Sequence, residues 1–311
     1  DELREQSARA QQSRRGGGSG ASRMTGQSLG DAWRETCLGG AWASAALLSL
    51  DGGSEVELAL VIGQASQISD IDSWMTELRQ PGALLSQFER TKAWWSDFLN
   101  VLRIETEDPA FDRLVNDWIP YQLVSARLWG RTGPQQRSGA FGFRDQLQDV
   151  IPLASTHPEL ARSQILLHCA QQFLEGDTLQ WWHRTWDGRT GLGARNHASD
   201  AMLWLPYVVG KYLSTTNDLS ILDEEVSFLE GREIPEGSEG ICFVPRVSRE
   251  STSVYGHCKK AIERALSKLG ESGVPLMGSG DWNDGLDAVG RHGKGESTWL
   301  GFFLYGILVD F

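Results

Sequence analysis

The sequence predicts a mainly α-helical fold, and two patterns support that prediction. Beyond about residue 67, apolar residues recur at helical spacing, as in the stripe formed by Leu84, Phe88, Trp95 and Leu99. The segments between such stripes are long and rich in Gly, Trp, Arg and Asp. Loops of this length exceed what a plain helix bundle needs, and functional side chains usually lie on such loops. We therefore expect a helical scaffold whose loops carry the function.

The first 66 residues have a different character. Residues 1–30 are polar and rich in glycine, with too little apolar surface to offset chain entropy, and we expect them to be disordered. An apolar run over residues 41–50 then leads into a glycine turn. Val56, Leu58, Leu60 and Ile62 follow in alternation, which predicts two strands joined by that turn.

Three further helical stripes lie later in the chain. They consist of Ile165, Cys169 and Phe173; Leu205, Val209 and Leu213; and Cys258, Ile262, Leu266 and Leu269. Gly270 closes the last of them. The apolar run from Trp299 to Val309 predicts one more helix, and it is too short to span a bilayer. Because no stop signal precedes Phe311, we expect the chain to be a piece of a longer protein.

The composition of the chain limits the classes of partner that it is expected to bind. The 311 residues carry a net charge of -12, which argues against nucleic acid or an anionic membrane but allows a small anion in a local pocket. The four cysteines are widely spaced and form no CxxC pair, as is typical of reduced thiols in a cytoplasmic protein. No spacing typical of metal ligands occurs, so we predict no metal.

Two loop clusters combine charged and polar groups. The first extends from Arg131 to Asp149 and includes Arg144 and Asp145. Such guanidinium, carboxylate and amide groups can bind sugar hydroxyls, and they can equally form a structural ion-pair network. The second contains Trp182, His183, His197 and Asp200. Its histidines suit a general base or a phosphate ligand, with a satisfied structural donor as the alternative.

A third cluster, residues 278–287, brings three carboxylates and Trp282 into a glycine-rich turn. Glycines at 278, 280 and 285 allow positive φ angles there. A fourth cluster, residues 293–299, lacks the order of a phosphate-binding P-loop, and Glu296 could cap the following helix. Neither a GxSxG elbow nor a GxGxxG fingerprint is present. The residues therefore favour carboxylate-led acid catalysis on a neutral, hydroxyl-rich substrate.

Several motifs, in order, carry a family resemblance. They are Gly-Phe-Arg-Asp-Gln-Leu-Gln-Asp at 142–149, Gln-Trp-Trp-His at 180–183, Ser-Asp at 199–200 with Leu-Trp-Leu-Pro at 203–206, Gly-Asp-Trp-Asn-Asp-Gly at 280–285 and Gly-Glu-Ser at 295–297. Together they resemble glycoside hydrolase family 94, the cellobiose and chitobiose phosphorylases. The 142–149 motif is most similar to the phosphorylase-like module of cyclic β-1,2-glucan synthases.

This resemblance implies an architecture. Residues 31–66 would be the remnant of an N-terminal β-sandwich, residues 67–107 a helical linker, and residues 108–311 part of an (α/α)6 catalytic barrel. We expect the barrel to be truncated at the C-terminus and the chain alone to have low activity or none. The family's phosphorylases are often dimers, which allows a homodimer, and the parent protein could be tethered to a membrane.

The resemblance also implies a reaction. Family members are inverting phosphorylases, in which inorganic phosphate attacks the anomeric carbon of a β-glucoside and α-glucose 1-phosphate is released. Phosphate is the co-substrate, and no cofactor is needed. Because phosphate is itself a nucleophilic anion, one carboxylic acid suffices where an inverting hydrolase needs two carboxyl groups. That acid corresponds to Asp284.

The remaining site residues are assigned from the same resemblance. Arg131 and Asp145 would hold the non-reducing-end sugar, with Arg144 in a supporting ion pair. Trp282 would line the scissile bond beside Asp281. Asp200, Trp182 and His183 complete the predicted substrate-binding set.

The chain also departs from the family pattern. Gln180 replaces a histidine, and Ala201 replaces an aspartate. These changes leave open a non-catalytic or degenerate carbohydrate-binding scaffold within a larger glucan synthase. A simple (α/α)6 hydrolase would need a second carboxylate to activate water, and no residue marks one.

Overall fold

The computed structural model describes residues 52, 53, 55, 67–131, 139–185, 188–235 and 237–311. The predictions for residues 1–30 and for the strands within 31–66 lie outside this part of the chain. About half of the described residues are helical. The chain divides into two compact units, one ending at Ser86 and one extending from Gln87 to Phe311. All of the site residues discussed below lie in the second unit.

Apart from four short 3-10 helices, the described part of the chain contains eight helical segments. They are α1 (Ile68–Leu78), α2 (Ala83–Leu99), α3 (109–129), α4 (Phe143–Val150), α5 (Pro158–Cys169), α6 (Trp204–Thr216), α7 (Val254–Leu266) and α8 (Thr298–Asp310). Helix α3 alternates α-helical and π-helical turns, and the Asp108 carboxylate caps its start by accepting from two backbone N–H groups. None of the described helices combines the length and apolar character needed to cross a membrane.

The apolar stripes mark these helices correctly, but two of them end early. Helix α5 ends at Cys169, before Phe173, and α7 ends at Leu266, before Leu269. Beyond α7 the chain turns back on itself, because the backbone N–H of Leu276 donates to the carbonyl of Lys268 at 2.8 Å. The backbone N–H of Gly270 donates to the Val274 carbonyl in the same turn. Pairing with the returning segment thus replaces the last predicted helical turn.

Two antiparallel sheets occupy segments that the sequence predicted as loops. The strands are β1 (Phe141–Gly142), β2 (Leu179–Arg184), β3 (Thr190–Asn196), β4 (Glu225–Glu230), β5 (Gly240–Phe243) and β6 (Arg246–Ser253). One sheet has the order β1-β2-β3-β5, and the other pairs β4 with β6. In the first sheet Phe141 lies opposite Trp182. The short β1 leads directly into α4 and so fixes where that helix begins.

The main core of the second unit lies among α4, α5, α6 and α7. Its fully buried side chains include Phe143, Leu147, Ile165, Val209 and Cys258. A smaller cluster joins α7 to α8. The described cysteines, Cys169, Cys242 and Cys258, are free thiols. The closed (α/α)6 barrel and the domain boundaries stay predictions.

Candidate active site

The site is organised around Arg144 in the first turn of α4. Phe143 and Leu147 of this helix are fully buried in the core and anchor it. Arg144 itself is only 6% exposed. A buried guanidinium requires partners for its N–H groups, and Arg144 finds them on two other segments of the chain.

Arg144 holds three acidic residues together. Its Nη1 donates to both carboxylate oxygens of Asp200, at 3.1 and 3.0 Å, and to the backbone carbonyl of Asp281 at 2.9 Å. Its Nη2 donates to the Asp284 carboxylate. These contacts join residues separated by 56 to 140 positions in sequence. The predicted ion pair of Arg144 thus exists, with two carboxylates rather than one.

Arg144, Asp200, Asp281 and Asp284 form the Arg144 cluster, and burial shifts the pKa values of Arg144 and Asp200 within it. Burial alone would lower the pKa of Arg144, but the carboxylates of Asp200 and Asp284 outweigh it and raise that pKa, so the guanidinium stays charged. Asp200 is completely buried, and burial raises its pKa against the opposing effects of Arg144 and Trp204. The indole Nε1 of Trp204 donates to Asp200 at 3.1 Å. Asp200 has no exposed surface, and its carboxylate accepts hydrogen bonds from Arg144 and Trp204.

The loop that carries Asp281 and Asp284 has a tightly fixed start. Gly278 has a φ of +63°, and a Cβ there would overlap the carbonyl oxygen of His197. Gly280 has a φ of +130°, whereas the φ of Gly285 is not positive. The hydroxyl of Ser199 donates to the Met277 carbonyl at 2.9 Å. The loop is therefore tied to the segment that carries Asp200.

Asp281 supports the loop from inside. It is 4% exposed, and one carboxylate oxygen accepts from the backbone N–H of Asn283 at 2.8 Å. The other accepts from the Ser297 hydroxyl at 2.6 Å. The Ser297 oxygen in turn accepts from the backbone N–H of Leu300 and caps α8. Asp281 thus connects the loop to the start of α8.

Asp284 and Trp282 are the accessible members of the loop. The side chain of Asp284 is 48% exposed although it contacts Arg144. Trp282 is 53% exposed, and its ring centroid lies 6.4 Å from that of Trp299, which is 41% exposed. An accessible carboxyl thus stands two residues from an aromatic surface, which suits the C–H face of a sugar ring.

Two other predicted residues, Arg131 and Trp182, contact Phe141. The Arg131 guanidinium lies 4.6 Å from the centre of the Phe141 ring, and its Nε donates to the Gly139 carbonyl at 2.6 Å. The Trp182 ring stacks on Phe141 at 5.3 Å and is fully buried. Direct contact between Trp182 and a substrate would require its neighbours to move. His183 packs edge-on against the Trp181 ring.

Asp145 lies beside Arg144 in sequence but contacts a different arginine. Its carboxylate is 4.0 Å from Arg127, which also binds Asp149 at 3.0 Å. Burial raises the pKa of Asp149, against the effect of Arg127. Asp145 is 31% exposed and remains accessible to a ligand.

Sequence reasoning missed Ser297, Trp204 and Trp299 as parts of this site. Ser297 could have been recognised, since a serine directly before an apolar helical run is a common N-cap. Glu296, the predicted cap, instead accepts a hydrogen bond from the backbone N–H of Ser272. For Trp204 no local signal exists, because its role depends on the distant burial of Asp200.

Comparison with known proteins identifies the family of this chain. The model of the glycosyl hydrolase 94 superfamily catalytic domain matches residues 94–311. The cyclic beta-(1,2)-glucan synthase NdvB of Rhizobium meliloti (strain 1021) is 40% identical over 266 residues, which cover 85% of this chain and 9% of that protein. The 3-O-beta-D-glucopyranosyl-beta-D-glucuronide phosphorylase of Paenibacillus borealis is 28% identical, over 81% of this chain and 30% of its own length.

A further relative is the 1,2-beta-oligoglucan phosphorylase of Listeria innocua serovar 6a, which is 28% identical over 58% of this chain and 16% of its own length. This chain therefore spans less than a third of the length of each of these three relatives. The match to the catalytic-domain model covers most of the second unit, including every residue of the Arg144 cluster. This chain belongs to the glycosyl hydrolase 94 superfamily.

Proposed function

We propose that this chain contributes the acid-bearing half of an inverting glycoside phosphorylase site that acts on β-linked gluco-oligosaccharides. A phosphate oxygen bonds to the anomeric carbon while the glycosidic C–O bond breaks, and Asp284 gives its proton to the leaving oxygen. The products are α-glucose 1-phosphate and the shortened saccharide. One observation carries this proposal. The accessible carboxyl of Asp284 is held by the buried Arg144, and Asp284 follows the exposed Trp282 by two residues in the same loop.

The relatives support the substrate class. Two of them are named as phosphorylases of β-glucosides, and a third as a cyclic β-1,2-glucan synthase. A β-1,2-linked gluco-oligosaccharide is accordingly the first substrate to test, with a cellobiose-like one next. Because the chain spans only part of these relatives, both the closed (α/α)6 barrel and the activity of the whole protein are proposals.

Proton donation places a condition on Asp284. A carboxylate paired with a guanidinium has no proton to give, so Asp284 must leave Arg144 or take up a proton before it can act as an acid. A phosphate anion arriving beside the pair would compete with Asp284 for Arg144 and so free the carboxyl from the guanidinium. Phosphate would then be the nucleophile and also the signal that prepares the acid.

The other residues receive supporting roles. Arg131 and Asp145 are proposed to bind the non-reducing-end sugar, and their accessible polar groups are consistent with that role. Asp200 and Asp281 position Arg144 and the loop, since both are buried and hydrogen-bonded within the protein. Trp282 and Trp299 supply the apolar surface for a sugar ring.

A degenerate carbohydrate-binding scaffold is the alternative. It is favoured by Gln180 and Ala201 and by the Arg144–Asp284 contact, which would hold the loop without chemistry. A scaffold needs the aromatic surface but not an accessible carboxyl. The two functions therefore differ in whether phosphate is consumed.

The experiment that tests the proposal is an incubation of the full-length protein that contains this chain with β-1,2-gluco-oligosaccharides, cellobiose or chitobiose, with and without phosphate. We expect glucose 1-phosphate only when phosphate is present, and its loss in Asp284→Asn. The matched control is Asp223→Asn, which neutralises an exposed carboxylate outside the site and should keep the activity. Saccharide binding without turnover would instead support the scaffold, and cleavage without phosphate would indicate a hydrolase.

A further inference from the structure

A cavity adjoins the loop that carries Asp284. It has a volume of about 430 Å³ and is bordered by Ser199, Gly278 and Ser279. None of the residues of the Arg144 cluster lines it: Arg144, Asp200, Asp281 and Asp284 are all absent from its walls. The cavity is therefore a separate space with its own chemistry, and its volume lies within the range of small-molecule sites.

Two cations on one wall of this cavity have no ion-pair or hydrogen-bond partner within the described residues. Arg264 lies in the last turn of α7, and Lys268 follows four residues later. Among the residues that the structure describes, neither side chain forms an ion pair or a hydrogen bond. By contrast, Arg291 in the same cavity lies 3.9 Å from Glu239. The cavity thus presents two positive charges that no carboxylate in the described part of the chain neutralises by direct contact.

The carboxylates of the cavity do not provide that neutralisation. Asp177 is occupied by Arg195, which donates to both of its oxygens at 2.7 Å. Glu239 pairs with Arg291, and Asp287 accepts from the backbone N–H of Ala288. These groups can still accept hydrogen bonds from hydroxyl groups of a ligand.

Two neutral polar groups complete the lining. The Ser279 hydroxyl oxygen is buried and has no hydrogen-bond partner within the described residues. A buried hydroxyl without a partner is costly unless a ligand or water satisfies it. The pKa of His197 is lowered, first by burial and then by Lys268 and Arg264, with Asp177 opposing them. Its neutral ring can both donate and accept.

The shape of the remaining wall limits the ligand further. Met202, Leu276 and Leu300 give it an apolar part, but its described lining residues include no Phe, Tyr or Trp ring. A nucleobase normally stacks on such rings, so a nucleotide is disfavoured. A small hydroxyl-rich molecule that carries one anionic group matches both the uncompensated cations and the polar acceptors.

We propose that this cavity binds a hexose phosphate, with its phosphate on Arg264 and Lys268 and its hydroxyl groups toward Ser279, His197 and the cavity carboxylates. Charge-assisted hydrogen bonds from a guanidinium and an ammonium are the strong interactions available for a phosphate. This site is distinct from the proposed catalytic site and does not depend on it. Ligand binding here would contact Gly278 and Ser279, which lead directly into the acid-bearing loop.

The test is calorimetric titration of the chain with glucose 6-phosphate, glucose and inorganic phosphate. We expect glucose 6-phosphate to bind more tightly than the other two. Arg264→Gln and Lys268→Gln should each weaken it at least about tenfold, since one charged hydrogen bond contributes roughly that much. Arg264→Lys, which keeps the charge, should lose less. Thermal unfolding of each variant checks that it is folded.

Two controls locate the binding. Lys259→Gln removes a cation from the same helix that is 62% exposed and lies 3.8 Å from Glu263, and it should leave binding unchanged. Asp284→Asn should also leave it unchanged, because that residue does not line the cavity. Absence of saturable binding in the millimolar range would overturn the proposal, as would equal affinity for inorganic phosphate or an unaltered affinity in both cavity variants. Equal weakening by Asp284→Asn would likewise contradict it, because the ligand would then sit at the other site.

Discussion

Arg144 provides the sharpest test of how the site is held together. Its guanidinium makes two hydrogen bonds to Asp200, one to the Asp281 carbonyl and one to Asp284. In Arg144→Gln the Asp200 carboxylate stays fully buried, with Trp204 as its remaining side-chain donor. Breaking a buried ion pair from one side costs about 3–5 kcal/mol, because the other charge loses its partner. That is a large share of the roughly 5–15 kcal/mol available to a folded domain.

The assay is urea unfolding followed by tryptophan fluorescence. Arg103→Gln is the control, since Arg103 pairs with Asp117 at 3.4 Å where both side chains are more than 40% exposed. Exposed pairs contribute about 0–1 kcal/mol, so the control should change stability little. Arg144→Gln should therefore be several-fold more destabilising than Arg103→Gln.

A double variant isolates the cause. Arg144→Gln combined with Asp200→Asn removes the buried charge, and it should be about 1–3 kcal/mol more stable than the sum of the single effects. Burial already raises the pKa of Asp200. Without Arg144 that pKa rises further. The loss of unfolding free energy in Arg144→Gln should therefore become smaller as the pH falls and Asp200 takes up a proton. Two results would refute this reasoning. One is a loss of unfolding free energy in Arg144→Gln no larger than that in Arg103→Gln, and the other is a double variant that recovers none of this free energy.

Three further predictions concern stability and binding. Burial lowers the pKa of His168 from 6.5 to about 4, so the neutral ring stabilises the fold above pH 6.5. The free energy of unfolding should fall by about 3 kcal/mol as the pH falls from 6.5 to 4. Urea titrations should show a weaker dependence on pH in His168→Gln. The same titrations should show an unchanged dependence in His292→Gln, which alters an exposed histidine. Ser297→Ala should cost about 1–3 kcal/mol in the same assay, because Asp281 loses a buried partner and α8 loses its cap; an unchanged midpoint would contradict this. Trp282→Ala should weaken oligosaccharide binding about tenfold in calorimetry, more than Trp129→Ala outside the site, and equal effects would count against the aromatic surface.

Local patterns predicted the helices well. The apolar stripes located α2, α6 and α7. Stripe residues of α6 and α7 such as Leu205 and Cys258 are fully buried, whereas Phe88 of α2 is 59% exposed. They did not locate the ends of α5 and α7, where pairing with a distant segment competes with helix formation. Strands β2 and β3 were missed because short aromatic and glycine-rich segments read as loops until their partners are known.

Part of the site was equally predictable. The glycines and carboxylates of residues 278–284 predicted a glycine-rich turn, and Arg144 was expected in an ion pair. The ion pairs of Arg144 with both Asp200 and Asp284 could not be predicted from the sequence, because those residues are 56 and 140 positions away. The burial of Asp200 and Trp182 was also hidden, since burial depends on packing between elements far apart in sequence.

The central claim is that Asp284 protonates the leaving oxygen while phosphate attacks. It is tested most directly by comparing two substrates in the presence of phosphate, a β-1,2-gluco-oligosaccharide and β-glucosyl fluoride, whose fluoride leaves without a proton. ³¹P NMR at high enzyme concentration registers even slow formation of α-glucose 1-phosphate. Asp284→Asn should lose about 10²–10⁴-fold in rate with the saccharide and less than about tenfold with the fluoride. An equal loss with both substrates, or no loss with the saccharide, would contradict the assignment of Asp284 as the acid.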